Sequence, residues 1–314
     1  MYEQIASNKR RAVFYVVMFF VVWLGIGALL GATISQPSTD LSGTATTNWS
    51  AILGGILLAA LFAIGSTFFA VTAGARFVLA VSGAHTADPV RYRQLHNLVE
   101  ELAIAGGLPK PEVYVINDHS PNAFATGTSP KRAAITATTG LLEMMNREEL
   151  EGVIGHEMSH IRNYDVRLIL IVSTLIGLAG LLASLTWRSM FYLRPRGRDS
   201  GQIVLLVMAA GFLLGIVAFL VGPLIRLAIS RRREELADVS CVELTRNPAG
   251  LISALEKLQG NDKPFAKFNH ATAAMCIDDP LQHHSSWMHH LFDTHPPIAE
   301  RIEILRRIEQ GRTA

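Results

Sequence analysis

The stretch GHEMSHIRNYD, residues 155–165, decides how this chain is read. It sets His156 and His160 four apart, with Glu157 directly after the first. Upstream, Asn146 and Glu149 have the spacing of a capping box, and Leu150, Val153, Ile154 and Ile161 continue at helical spacing, so the stretch lies inside a helix. Positions four apart return to nearly the same helical face, which lets both imidazoles point at one metal ion. Neutral imidazoles suit Zn²⁺, and the adjacent carboxylate is placed to take a proton from a water on that ion. The pattern is short enough to arise by chance, and a zinc site needs a third protein ligand. RRREELADVS, residues 231–240, offers one: Glu234 and Asp238 are four apart on an expected helix, so one can bind metal while the other supports a ligand histidine. Taken alone, that stretch reads more simply as a solvated acidic face paired with Arg231, Arg232 and Arg233.

The surroundings of these motifs are apolar. Half of the 314 residues are hydrophobic, 17% are charged and the mean hydropathy is +0.30, the balance of a membrane protein. Four stretches are long enough to cross a bilayer: residues 12–32, 51–81, 168–187 and 203–229. None contains Asp, Glu or Lys. Lys9, Arg10 and Arg11 precede the first, but its apolar run exceeds a signal core of roughly 7 to 15 residues, so it reads as an anchor. The loop at 33–50 has no Lys or Arg, whereas the segments on either side of the first two spans do, which places the amino terminus, the region after Val81 and the HEMSH stretch in the cytosol. Arg188, Arg194, Arg196 and Arg198 between the third and fourth stretches leave two arrangements open, a spanning hairpin or a shallow one. The domain expectation is a membrane hairpin over residues 1–83 and a cytoplasmic domain over 84–314, interrupted by a second hairpin at about 168–229.

Between and after the spans lie soluble elements. Leu95, Leu98, Val99 and Leu102 mark an amphipathic helix over 91–105, EVYVI a short strand, and AAITATTGLL a second strand entering a turn, with the turn-rich NDHSPNAFATGTSPKR between them. Asn247 and Pro248 start a helix with Leu251, Ile252, Leu255 and Leu258 on one face, and THPPIAERIEILRRI closes the chain as another. The fold class is therefore α+β: an integral membrane protein, mainly helical, with a small sheet. A net charge of +2 and no interleaving of aromatic and basic residues argue against a nucleic-acid partner. Cys241 and Cys276 have no CxxC spacing and read as ordinary core residues. His283, His284, His289 and His290 suggest a solvated loop before a second metal site. A noncatalytic scaffold or transporter with a chance HExxH is the rival reading, but a transporter would place ionisable groups within its spans, and these hold almost none.

In order along the chain, the two amino-terminal spans, NAFATG at 122–127, HEMSH with Asn163 and Asp165, two further apolar segments, RExxAD at 233–238 and HPP at 295–297 resemble the HtpX-type membrane zinc metallopeptidases, relatives of the type I CAAX prenyl endopeptidases. The resemblance implies a gluzincin-like zinc protease domain with one Zn²⁺ per chain, held by His156, His160 and Glu234, and Glu157 as general base. It implies Asp238, Asp165 and Asn163 as supports behind the ligands, and His295 with Arg301 near the substrate carbonyl. Glu235 stands where many relatives carry an aromatic residue, so which of Glu234 and Glu235 binds metal stays open, with the ExxxD spacing favouring Glu234. Asn122, Ala123, Phe124 and Ala125 read either as a turn or as an edge that receives an extended substrate. The implied location is the cell inner (plasma) membrane, multi-pass, with the site facing the cytoplasm. The implied partners are membrane-protein or peptide substrates and the bilayer, and a homo-oligomer or a membrane regulator is compatible with them.

Overall fold

In a computed structural model the structure describes residues 2–34, 38–39, 45–46, 49–192, 231–260 and 297–311. The fourth apolar stretch, Cys276, the histidine-rich stretch and His295 fall outside the described residues. Helix α1 (Tyr2–Ile34) is followed by the strand pair β1 (Ser38–Thr39) and β2 (Ala45–Thr46), then α2 (Trp49–Thr72). Both helices are long and apolar enough to cross a membrane, over Arg10–Ala32 and Trp49–Thr72. Their outer faces carry Val13, Val17, Val21, Leu57, Leu58 and Phe68, the last two 70% exposed, a continuous greasy surface that only hydrocarbon solvates at low cost. Their inner faces meet at small residues. A Cβ added to Gly27 would lie 2.4 Å from the Gly55 carbonyl oxygen, so the two backbones approach as only glycine allows.

The apolar run at 51–81 is two helices. Its backbone turns at Ala73, and α3 (Gly74–Val81) leads to the strand β3 (His85–Thr86) and helix α4 (Arg93–Ala105). Next come β4 (Glu112–Ile116), β5 (Ala123–Gly127), β6 (Ala133–Thr138) and the short helix α5 (Thr139–Met144). The sheet order is β3-β4-β6-β5, with β4 and β6 parallel and the other pairs antiparallel. Side chains alternate across it: Val113, Val115, Ile135 and Ala137 join the main core, while Ile116, Phe124 and Ala134 pack with Val78 and Leu79 of α3 and Leu170. A strand where turn-rich sequence suggested a loop, β5 sits at the sheet edge and packs on the helix that follows.

That helix is α6 (Arg147–Arg162), and it carries the HEMSH stretch. The capping box is present, with the Asn146 side chain accepting from the Glu149 backbone and the Glu149 carboxylate accepting from the Asn146 backbone at 2.8 Å. Helix α6 ends at Asn163, and Tyr164 adopts a left-handed φ of 61°. That conformation costs a non-glycine residue about 1–2 kcal/mol, and it lets α7 (Asp165–Tyr192) begin at once, with Asp165 turned back toward α6. The third apolar stretch lies within α7. Through Leu175 its side chains are enclosed by protein, Leu168, Ile171, Val172 and Leu175 packing with Ala12 and Tyr15 of α1 and Ala70 of α2. Helices α8 (Arg231–Thr245), α9 (Pro248–Gln259) and α10 (Ile298–Glu309) complete the described chain. A Cβ on Gly152 would come within 2.7 Å of the Leu251 backbone, so α6 and α9 touch nearly backbone to backbone.

Glu149 fastens that contact. Its buried carboxylate also accepts from Ser253 Oγ and Lys257 Nζ of α9, each at 2.7 Å. Burial pushes its pKa up, but hydrogen bonds from Lys257, Ser253 and the Asn146 backbone outweigh this and hold it below the usual carboxylate value of 4.5. A lowered folded-state pKa contributes stability that is full above the unfolded value and lost as pH falls through the folded one. Glu149→Gln should therefore lower stability by about 1–3 kcal/mol near pH 7, and the gap to wild type should shrink as pH drops below that range. Thermal unfolding in detergent at neutral and acidic pH measures both, and equal midpoints at pH 7 would refute the assignment.

Candidate metal centre

Helix α8 inverts the usual amphipathic pattern. Its buried stripe is Arg233, Glu234, Ala237, Asp238 and Cys241, while Leu236 faces outward. Charged groups turned inward need partners, and α6 supplies them. Gly155 allows the approach, since a Cβ there would meet Cys241 Sγ at 3.0 Å and Thr245 Cγ2 at 2.8 Å. The Cys241 thiol donates to the Gly152 carbonyl, and burial raises its pKa, so it is a packing residue as its lack of CxxC spacing suggested.

At the contact, His156, His160 and Glu234 bring one donor atom each within 4.8 Å of one another. The two Nε2 atoms are 3.2 Å apart, and the Glu234 oxygens lie 3.5 Å from His156 Nε2 and 3.6 Å from His160 Nε2. Tetrahedral zinc with bonds of about 2.0–2.1 Å has ligand atoms roughly 3.3 Å apart, so the three separations fit that ion. Glu235 is half-buried and stands outside this group.

Behind each ring stands a carboxylate. His156 Nδ1 lies 2.8 Å from Asp238 Oδ1, and His160 Nδ1 lies 3.2 Å from Asp165 Oδ2. With Nδ1 donating to a carboxylate, each Nε2 turns a lone pair to the centre, the orientation a metal requires. Arg301 of α10 grips Asp238 with both arms of its fork, Nε to Oδ2 at 3.0 Å and Nη2 to Oδ1 at 2.8 Å. Its Nη2 is 3.3 Å from His156 Nδ1, and its buried Nη1 has no hydrogen-bond partner. Glu157 is buried beside His156 and lies within electrostatic reach of Arg301. Asn163 is buried at the C-cap of α6.

Charge makes the same case as geometry. Among the described residues, the centre buries four carboxylates, Glu157, Asp165, Glu234 and Asp238, against two guanidinium groups, Arg233 and Arg301. A cluster of that sign among the described residues suits a cation. Burial and Arg301 push the His156 pKa down, yet Asp238 and Glu234 outweigh them and raise it to about 9. A cation entering the centre would displace that proton. Arg233 is the member that sequence reasoning placed only on a solvated face. The signal was present, as the first letter of RExxAD, but nothing in the spacing pointed to its partner.

The rest of the expected set divides between what the structure describes and what it does not. Asn122 through Ala125 form the entry and body of β5, the sheet edge that packs on α6. His295 falls outside the described residues, whereas Arg301, expected beside it, lies at the centre.

Comparison with known proteins agrees with this chemistry. The profile of Peptidase family M48 matches residues 89–309. The chain is 41% identical over 314 residues to a "Protease HtpX homolog" of Streptococcus gordonii, covering 98% of this chain and 100% of that protein. A protein of the same name from Streptococcus mutans is 42% identical over 319 residues, with 99% of each chain covered. In fold, the chain is similar to the crystal structure of S. mikatae Ste24p, with a TM-score of 0.50 and 17% identity over 97% of this chain and 67% of that one. Full-length identity to HtpX homologues, the family match and a buried three-ligand cluster converge: the chain belongs to Peptidase family M48 and is a membrane zinc endopeptidase.

Proposed function

We propose that His156, His160 and Glu234 hold a single Zn²⁺ and that Glu157 is the general base of peptide-bond hydrolysis. The observation that carries this reading is the buried trio of donor atoms within 4.8 Å of one another, the two Nε2 atoms 3.2 Å apart as along one edge of a zinc tetrahedron. Zinc, when bound, polarises a carbonyl and makes water acidic enough to lose its proton near neutral pH. Glu157 accepts that proton and returns it to the leaving amine nitrogen, a transfer for which a buried carboxylate beside the ligand histidine is placed. Asp238 and Asp165 fix the ring orientations of His156 and His160. Arg301 braces Asp238 and turns its unbonded Nη1 to the developing oxyanion, with His295 as the second donor. The edge strand β5, from Asn122 through Ala125, receives an extended substrate by backbone hydrogen bonds.

The first membrane hairpin, residues 1–83, anchors a peptidase domain over 84–314 whose second apolar hairpin spans about 168–229. In this reading the enzyme is a multi-pass protein of the cell's inner (plasma) membrane with its site in the cytoplasm, and its substrates are damaged or misassembled membrane proteins. Protein quality control under stress is the corresponding role. The membrane location is supported by the packing of α7 on α1 and α2, the two helices apolar enough to cross a bilayer, and on the sheet.

Three outcomes are expected. Glu157→Gln should keep zinc and lose hydrolysis by at least about a hundredfold, because the amide keeps the shape but accepts no proton. Zinc analysis and a peptide-cleavage assay on the same preparation decide it, and zinc loss would reassign the residue. Glu234→Ala should release the metal while Glu235→Ala retains it, and the reverse result would move the ligand by one position. A cysteine at Ser42, with Cys241 and Cys276 replaced by alanine, should react with an impermeant thiol reagent added outside the cell. Protection of Ser42→Cys would invert the topology.

A further inference from the structure

The two ligand histidines are braced in matching ways. On one side Arg301 holds Asp238 and Asp238 holds His156. On the other, Arg233 Nη1 lies 3.7 Å from Asp165 Oδ1, and Asp165 Oδ2 lies 3.2 Å from His160 Nδ1. Arg233 is 2% exposed, and its Nε and Nη2 have no hydrogen-bond partner. A guanidinium is costly to bury for packing alone, and an apolar residue of that size would fill the space without leaving donors unmet. The cost is accounted for if the charge is needed where it stands, opposite the carboxylate that orients a ligand.

The two braces differ in strength. The first is a short two-armed fork, whereas the second is one longer ion contact and depends on the exclusion of water. The first membrane helix excludes it. Ala12 and Tyr15 of α1 pack with Leu168, Ile171 and Val172 of α7 just past Asp165, and Arg233 feels the charge of Arg11 and the Tyr15 hydroxyl. His160 is also the more exposed of the two rings, at 6% against 0%.

We propose that Arg233 is a positioning residue of the metal centre: it holds Asp165, which fixes the tautomer and direction of His160, inside a pocket that α1 closes. The proposal rests on the assignment of His156, His160 and Glu234 as the zinc ligands. It gives the N-terminal membrane helix a part in metal retention besides anchoring.

The test is zinc affinity, measured on the full-length protein in detergent by competition with a fluorescent chelator. Arg233→Met and Asp165→Asn should each weaken binding about tenfold to a hundredfold, the usual cost of losing a partner behind a ligand. The double variant should bind no more weakly than Asp165→Asn, because both changes break one brace. Arg233→Lys, which restores a charge opposite Asp165, should recover part of the loss. A folded Arg233→Met with wild-type affinity, additive losses in the double variant, or no recovery with lysine would each overturn the proposal. If Arg233→Met does not fold, Asp165→Asn against the double variant decides, since the double leaves no buried charge unpaired: equal affinities support the brace and a further fall overturns it. A wild-type protein that takes up no zinc would overturn the ligand assignment together with this inference. Wild-type uptake that Arg233→Met leaves unchanged would overturn this inference alone.

Discussion

Buried charge is the constraint on which the rest of the structure depends. Carboxylates within a protein interior must be paired, protonated or bound to metal, and among the described residues four of them gather in the centre with two guanidinium groups. Asp238 and Glu234 raise the His156 pKa to about 9, so a cation entering the centre would displace a proton there. Three helices distant in sequence must then meet at one point: α6 with the histidines, α8 with Glu234 and Asp238, and α10 with Arg301. The small residues of α6 are the condition for that meeting. Any side chain at Gly152 or Gly155 would push α9 or α8 away and spread the triangle of His156, His160 and Glu234.

The inverted face of α8 follows from the same constraint. On an ordinary amphipathic helix Leu236 would be inside and the charges outside. With Arg233, Glu234 and Asp238 turned in, α8 gains little from apolar burial by itself and is held by what its charges bind. Stability and chemistry are therefore coupled in this helix, while the contact between α6 and α9 rests on ordinary core residues, Leu150, Val153, Leu251 and Leu255, and on Glu149.

How legible this was from sequence varied with the length of the pattern. The capped helix around His156, the helix from Pro248 and the strand EVYVI carry strong local signals, and each is where the spacing put it. Strand β5 was harder, because AFATG has one large side chain, Phe124, among small residues and lacks the alternation that announces a strand; its pairing with β6 and its packing on α6 define it. The apolar stretch in α7 reads as membrane-spanning by composition, but composition does not distinguish lipid from protein as the solvent of Leu168 or Ile171. For Asp165, the sequence showed proximity to HEMSH but not the left-handed Tyr164 that turns its carboxylate back onto His160.

Two kinds of surroundings meet along α7, the polar centre at its start and apolar helices after it. Its first residue, Asp165, belongs to the centre, and its next turns, through Leu175, are enclosed by α1, α2 and α3. The sheet lies between α3 and α7 on one face and α4 and α6 on the other. The histidines of α6 meet Glu234 of α8 on one side and Asp165, at the start of α7, on the other. Enclosure of α7 by α1, α2 and α3 keeps that side of the centre dry, which strengthens its ion contacts, while α6, α8 and α10 supply the donors. Neither part makes the site alone, since Asp165 is at once the first residue of the long apolar helix and the partner of a ligand histidine.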